Sequence, residues 1–147
     1  MTTSTGNPDR VSAWFVDSSF WYTFMNRRDP GQQAAESALG SRLGRICTTT
    51  YVLAETVSLL TKRIEKTTAI ELLRMVRDDA SCEVTSPDAE QLHKAEELFA
   101  AHPDWDFDLV DAISFVIMQD RGIKGALTFD HHFEQMSFTT APGDSPG

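Results

Sequence analysis

At 147 residues with 41% hydrophobic content, the chain is sized for a single domain able to bury about two thirds of its unfolded surface without staples. A formal net charge of −9 and a pI near 4.7 exclude a protein that grips long nucleic acid through a broad basic face, since such binding scales with the phosphates that Lys and Arg neutralise. They do not exclude an enzyme acting on nucleic acid, because divalent metal on a carboxylate cluster inverts the local field.

In chain order, residues 1–10 read as a polar, disordered leader with no apolar h-region, and no later stretch approaches the roughly 20 apolar residues of a membrane span. A strand is predicted at 11–16, helices at 18–26 and 31–43, a strand at 46–49, helices at 51–63 and 66–79, and a strand at 82–85. Helices at 88–101 and 109–121 follow, then a short strand at 125–128 and a brief element near Phe138. The domain is expected to span 11–138, and the Pro/Gly/Ser/Thr-rich residues 139–147 to be a disordered tail. Asp29-Pro30 and Ser86-Pro87 are helix-start signals, and Gly122 is a helix stop. Short apolar runs alternating with helical segments predict an α/β fold with a mostly parallel sheet covered on both faces. Cys47 and Cys82 fall in predicted strands without CxxC spacing and read as reduced core thiols of a soluble, cytoplasmic protein.

Four acids sit where hydrophobic runs begin or end. Asp17 closes Val11 to Val16, Glu55 interrupts Tyr51-Val52-Leu53-Ala54, Asp111 is the only charge between Leu109 and Met118, and Asp130 ends Ala126 to Phe129. Burying an unpaired carboxylate costs several kcal/mol or forces it to protonate, by roughly the penalty for any isolated buried charge. In parallel sheets ligands collect beyond the carboxyl ends of the strands, and all four acids are predicted to converge on that edge. Each also has a purely structural reading: Asp17 as a helix cap, Asp111 as partner of Asp108 in a capping box, Asp130 as a turn residue. Their convergence favours a site. Clustered hard oxygens with no Cys partner point to Mg²⁺ or Mn²⁺ rather than zinc. His131-His132 reads as a surface turn, because adjacent residues are poorly placed to ligate one ion. There is no Gly-rich phosphate loop, no GxSxG and no Cys/His nucleophile pair.

Phe15-Val16-Asp17-Ser18-Ser19, Tyr51-Val52-Leu53-Ala54-Glu55, the segment Asp104 to Phe115 with Asp108 and Asp111, and Ala126-Leu127-Thr128-Phe129-Asp130-His131-His132-Phe133 resemble the four acidic motifs of PIN-domain ribonucleases. Among these the chain is similar to the VapC toxins of bacterial toxin–antitoxin pairs. The resemblance implies a three-layer α/β/α domain and a Mg²⁺- or Mn²⁺-dependent endoribonuclease, a homodimer neutralised by a VapB-type antitoxin. It implies that Asp17, Glu55, Asp111 and Asp130 are the catalytic and metal-binding quartet, that Ser18 and Ser114 support them, and that Thr128 orients the last acid. Asp108 and Ser137 depart from the family pattern, the latter standing where relatives often have Gly.

The expected reaction is attack by metal-activated water on RNA. Arg27, Arg28, Arg42, Arg45, Lys62, Arg63 and Lys66 are the sparse candidate substrate contacts. Leu59-Leu60 and Leu72-Leu73 supply apolar helix surface for a dimer. Two other readings are a receiver-like Mg-binding signalling domain and an inactive PIN-like RNA-binding module. The first calls for an acidic pair after the first strand, where Asp17 is followed by Ser18-Ser19.

Overall fold

A computed structural model describes residues 13–41 and 44–143. The chain runs β1 (Ala13–Val16), α1 (Ser18–Met25), α2 (Gln32–Gly40), β2 (Arg45–Thr49), α3 (Thr50–Arg63), α4 (Lys66–Asp78), β3 (Cys82–Thr85), α5 (Ala89–Ala101), α6 (Leu109–Arg121), β4 (Gly125–Leu127), α7 (His132–Gln135) and β5 (Thr139–Ala141). The strands form one sheet in the order β3-β2-β1-β4-β5, and every pairing is parallel. Right-handed crossovers place the helices that lead from β1 through β2 to β3 on one face and those that lead back to β4 and β5 on the other. Accordingly α1 packs on α2 and α3, α3 on α4, and α5 on α6. The result is the three-layer α/β/α domain that the sequence predicts.

Local chemistry sets the element ends. The Thr49 hydroxyl accepts from Val52 N (3.0 Å) and starts α3 immediately after β2. Gly122 ends α6 with φ 66°, a left-handed conformation that a side chain would strain. The cap of α5 is Asp88, which forms a reciprocal capping box with Gln91, and not the predicted Ser86. On α6, every residue from Ala112 to Met118 is buried, because the helix is enclosed between the sheet and α5. Phe115 anchors that layer, edge-on to Phe133 at 4.9 Å and to Phe107 at 5.4 Å between ring centres.

One element lies beyond the predicted ones, the single turn α7 that follows β4. The brief element expected near Phe138 is β5, which extends the ordered domain into the segment predicted as tail, with Thr128 N donating to Ala141 O (2.9 Å) and Thr139 N to Lys124 O (2.8 Å). Thr139-Thr140-Ala141 carries no apolar run, since an edge strand of this length is secured by its ladder rather than by burial. The predicted leader, residues 11 and 12 of the first strand, and Arg42 lie outside the described residues. Cys47 is buried and Cys82 half-buried, both are free, and burial pushes both thiols up to about 11. Leu60 and Leu72 are fully buried in the chain's own core, which leaves only Leu59 and Leu73 of the predicted dimer surface partly exposed. Among the described residues no helix is long and apolar enough to cross a membrane.

Candidate active site

β1 pairs with β2 on one side and β4 on the other, so the chain diverges at β1 and opens a crevice at the carboxyl ends of β1 and β4. The register Val16↔Leu127 makes Asp17 and Thr128 neighbours across that crevice. Thr128 Oγ1 donates to Asp17 Oδ2 at 2.7 Å and accepts from Asp130 N at 2.9 Å, so one hydroxyl ties both acids to the sheet. Asp17 Oδ1 accepts from Phe20 N (3.0 Å), capping α1, and from Ser19 Oγ (2.8 Å). Asp111, in the first turn of α6, shares a capping box with Asp108: Asp111 N donates to Asp108 Oδ1 (2.9 Å) and Asp108 N to Asp111 Oδ2 (3.1 Å). Glu55 lies half-buried in α3 and accepts a hydrogen bond from the Ser18 side chain.

The capping roles expected of Asp17 and Asp111 are therefore present, yet they do not account for the electrostatics. Asp17 is 2% exposed, and burial pushes its carboxyl up to about 6 against the opposing bonds from Thr128, Phe20 and Ser19, with the Asp130 charge adding to the rise. Burial, then the charge of Asp108, then those of Asp130 and Asp17, push Asp111 up to about 8. Glu55 is also raised, chiefly by burial, with the charge of Asp108 contributing. A surface cap would show none of this. These carboxylates repel one another in a partly desolvated crevice, a pattern characteristic of functional sites.

Three residues that sequence reasoning did not assign complete the cluster. Ser19, rather than Ser18, reaches Asp17, and its hydroxyl also accepts from Phe129 N (3.0 Å). His132 was read as part of a surface turn, but it is 8% exposed. Its Nε2 lies 2.5 Å from Asp106 Oδ1, and its Nδ1 lies 2.5 Å from Asp130 Oδ1 and 3.8 Å from Asp111 Oδ2. Burial alone would lower the pKa of this imidazole, but the neighbouring Asp130 and Asp106 outweigh it and hold it above the ordinary value. The alternation of Trp105, Asp106 and Phe107 was the available signal for an anchored acid. Ser114 donates to Val110 O (3.1 Å) within its own helix.

Of the candidate cations, Arg27 and Arg28 are exposed in the loop after α1. That loop returns to the site, where a side chain added at Gly31 would meet Phe129 Cε1 at 3.6 Å. Arg45 opens β2 at the opposite end of the sheet, and Lys62, Arg63 and Lys66 lie at the far end of α3 or beyond it.

Residues 14–139 match the PIN domain family. The chain belongs to that family. It is 31% identical over 124 residues to the 23S rRNA-specific endonuclease VapC20 of Mycobacterium tuberculosis, in both the H37Rv and CDC 1551 strains, covering 84% of this chain and 94% of the relative. The crystal structure of M. tuberculosis VapC20, a sarcin–ricin loop cleaving toxin, superposes with a TM-score of 0.82 at 30% identity over 87% of this chain and 97% of that one. The same fold, at 13% identity and a TM-score of 0.66, occurs in VapBC2 of Rickettsia felis bound to a promoter DNA fragment, with 87% of this chain and 96% of that chain covered. This PIN-domain chain is thus VapC-like over nearly all of its described length.

Proposed function

We propose that the chain is a divalent-metal-dependent endoribonuclease, the toxin of a VapBC-type pair, with Asp17, Glu55, Asp111 and Asp130 as its catalytic acids and metal ligands. The observation that carries this reading is Asp111, a half-buried carboxyl that feels the charges of Asp108, Asp130 and Asp17 and is pushed up to about 8. Only protons or a cation relieve such a cluster, and protons would leave it inert at neutral pH.

The residues fit a divalent ion. The donors are hard carboxylate oxygens suited to Mg²⁺ or Mn²⁺, and the buried His132 Nδ1 has no hydrogen-bond partner. When bound, such an ion supplies a water of lowered pKa and positive charge for the phosphate. The chain's own groups supply position. Thr128 holds Asp17 and Asp130 in fixed relation, Asp108 fixes the side chain of Asp111, and Ser18 restrains Glu55 at the rim. In this reading Glu55 and Asp130, the latter with a side chain 23% exposed, would orient the attacking water.

The substrate proposed by likeness to VapC20 is the sarcin–ricin loop of 23S rRNA in the cytoplasm. A net charge of −9 suits recognition by RNA shape and a few local contacts rather than by broad attraction. A VapB-type antitoxin and a homodimer complete the proposal. The retained quartet argues against an inactive binding module.

The test is cleavage of a sarcin–ricin hairpin by partner-free protein with Mg²⁺ or Mn²⁺. Specific cleavage that EDTA abolishes supports the reading, and cleavage undiminished in EDTA overturns it. Light scattering at micromolar concentration reads the dimer directly.

A further inference from the structure

We infer that His132 is a nitrogen ligand of this metal site, held in place by Asp106, and that the site consequently binds Mn²⁺ in preference to Mg²⁺. The inference rests on the metal-centre reading above and adds a donor to it.

His132 opens α7, and its side chain is only 10% exposed. Its two ring nitrogens face different acids. Nε2 meets Asp106 Oδ1 at 2.5 Å in hydrogen-bond geometry. In the neutral ring, donation there leaves Nδ1 unprotonated, 2.5 Å from Asp130 Oδ1 and 3.8 Å from Asp111 Oδ2. A lone pair held against carboxylate oxygens is repulsive unless a positive centre lies among them. A proton on Nδ1 would need a near-linear path to Asp130, yet Nδ1 makes no hydrogen bond despite its closeness. A metal ion imposes no such requirement on a single pair. Donor atoms of Asp111, Asp130 and His132 all lie within 4.8 Å of one another, a group that one ion can span.

Asp106 then acquires a purpose. Metal-ligating histidines characteristically donate their second N–H to a carboxylate, which fixes the tautomer and the ring plane. Asp106 has a 77% exposed side chain, but its neighbour Phe107 is buried, with its ring 6.5 Å from that of His132. The acid is therefore anchored beside the imidazole without being buried. His131 does not compete for the ligand role: it is 64% exposed, and its nitrogens lie 3.8 Å from Asp130 and 4.0 Å from Asp106. Imidazole nitrogen is a poor donor for Mg²⁺, which takes oxygen and water, and a better one for transition ions.

The experiment is pulsed EPR on the full chain, stripped with chelator and reloaded with Mn²⁺, beside Mn²⁺ and Mg²⁺ binding titrations. A ¹⁴N modulation from coordinated imidazole is expected in the wild type and is lost in His132→Gln. The same change weakens Mn²⁺ binding about tenfold or more, and Mg²⁺ binding much less. Asp106→Asn, at an exposed position, keeps the ¹⁴N signal while weakening Mn²⁺ binding by about tenfold, and carries the test if His132→Gln does not fold. Tight Mn²⁺ binding without ¹⁴N coupling overturns the inference and leaves the carboxylate site standing. Absence of divalent binding in the wild type, or binding unchanged in Asp111→Asn, overturns the carboxylate site as well.

Discussion

The Thr128 hydroxyl donates to Asp17 Oδ2 at 2.7 Å across 111 residues of sequence, joining the carboxyl ends of β1 and β4 through a carboxylate that would otherwise face buried surroundings. Thr128→Val keeps the shape and removes the donor. It should lower stability by about 1–3 kcal/mol, the penalty for a buried acceptor left unmade, and reduce RNA cleavage. Thr128→Ser should retain most of both. Melts and one cleavage assay on the pair decide the matter, and a Val variant with wild-type activity would remove Thr128 from the site.

Asp111 completes the capping box that Asp108 opens on α6 and belongs to the acidic cluster at once. Asp111→Asn keeps an oxygen for Asp108 N while deleting a charge from among like charges. Its metal-free melting temperature is expected to equal or exceed the wild type's, while cleavage and metal-induced stabilisation collapse. A helix cap alone predicts the reverse pairing, with about 1 kcal/mol lost and activity kept.

Stability without metal should fall as pH rises. Asp17 and Asp111 move from 3.8 to about 6 and about 8, so between these values the folded chain holds protons that the unfolded chain has released. Stability is therefore full below the unfolded value and is lost as pH rises through the folded ones. His132, raised from 6.5, contributes with the same sign. Melting in EDTA from pH 5 to pH 8 should show a declining midpoint, flatter in Asp111→Asn, and saturating Mn²⁺ should restore it at pH 8 by mass action.

Arg27 and Arg28 sit in the loop that packs back toward Phe129, whereas α3 carries Lys62 and Arg63 roughly 20 Å from its start at 1.5 Å per residue. Replacing either arginine by Ala should weaken RNA binding and reduce the salt slope by about 1 with unchanged melts. The same changes at Lys62 and Arg63 should leave binding intact.

Ser137 holds φ 69° in the turn before β5, a backbone state that disfavours a side chain. Ser137→Gly should stabilise the fold by up to about 1 kcal/mol, since relief of left-handed strain exceeds the extra chain entropy. A lower melting temperature would show that the Ser side chain contributes there.

Apolar periodicity and cap residues were enough to place every helix from α1 to α6 and every strand from β1 to β4, to within a few residues, because those signals are local. Asp17, Glu55, Asp111 and Asp130 stand out as candidates for an equally local reason, since a charge set inside an apolar run has to be explained by something. The turn α7 escaped, and the brief element near Phe138 had neither type nor bounds until β5 paired with β4, because each is too short and too polar for a periodic pattern. The supporting role of Ser114 is implied by the resemblance alone; in the structure its hydroxyl donates to Val110 O in the preceding helical turn, a choice of rotamer and not of sequence.

His132 and Asp106 belong to the tertiary structure alone. They are 26 residues apart, one in the loop before α6 and the other at the start of α7, and meet because Phe107 and Phe133 bury their flanks in one aromatic layer around Phe115. The residues by themselves determine the class of chemistry, hard acids at the carboxyl edge of a parallel sheet. Which nitrogen turns toward those acids, and which carboxylate holds it there, is decided only when long-range packing brings the loops together.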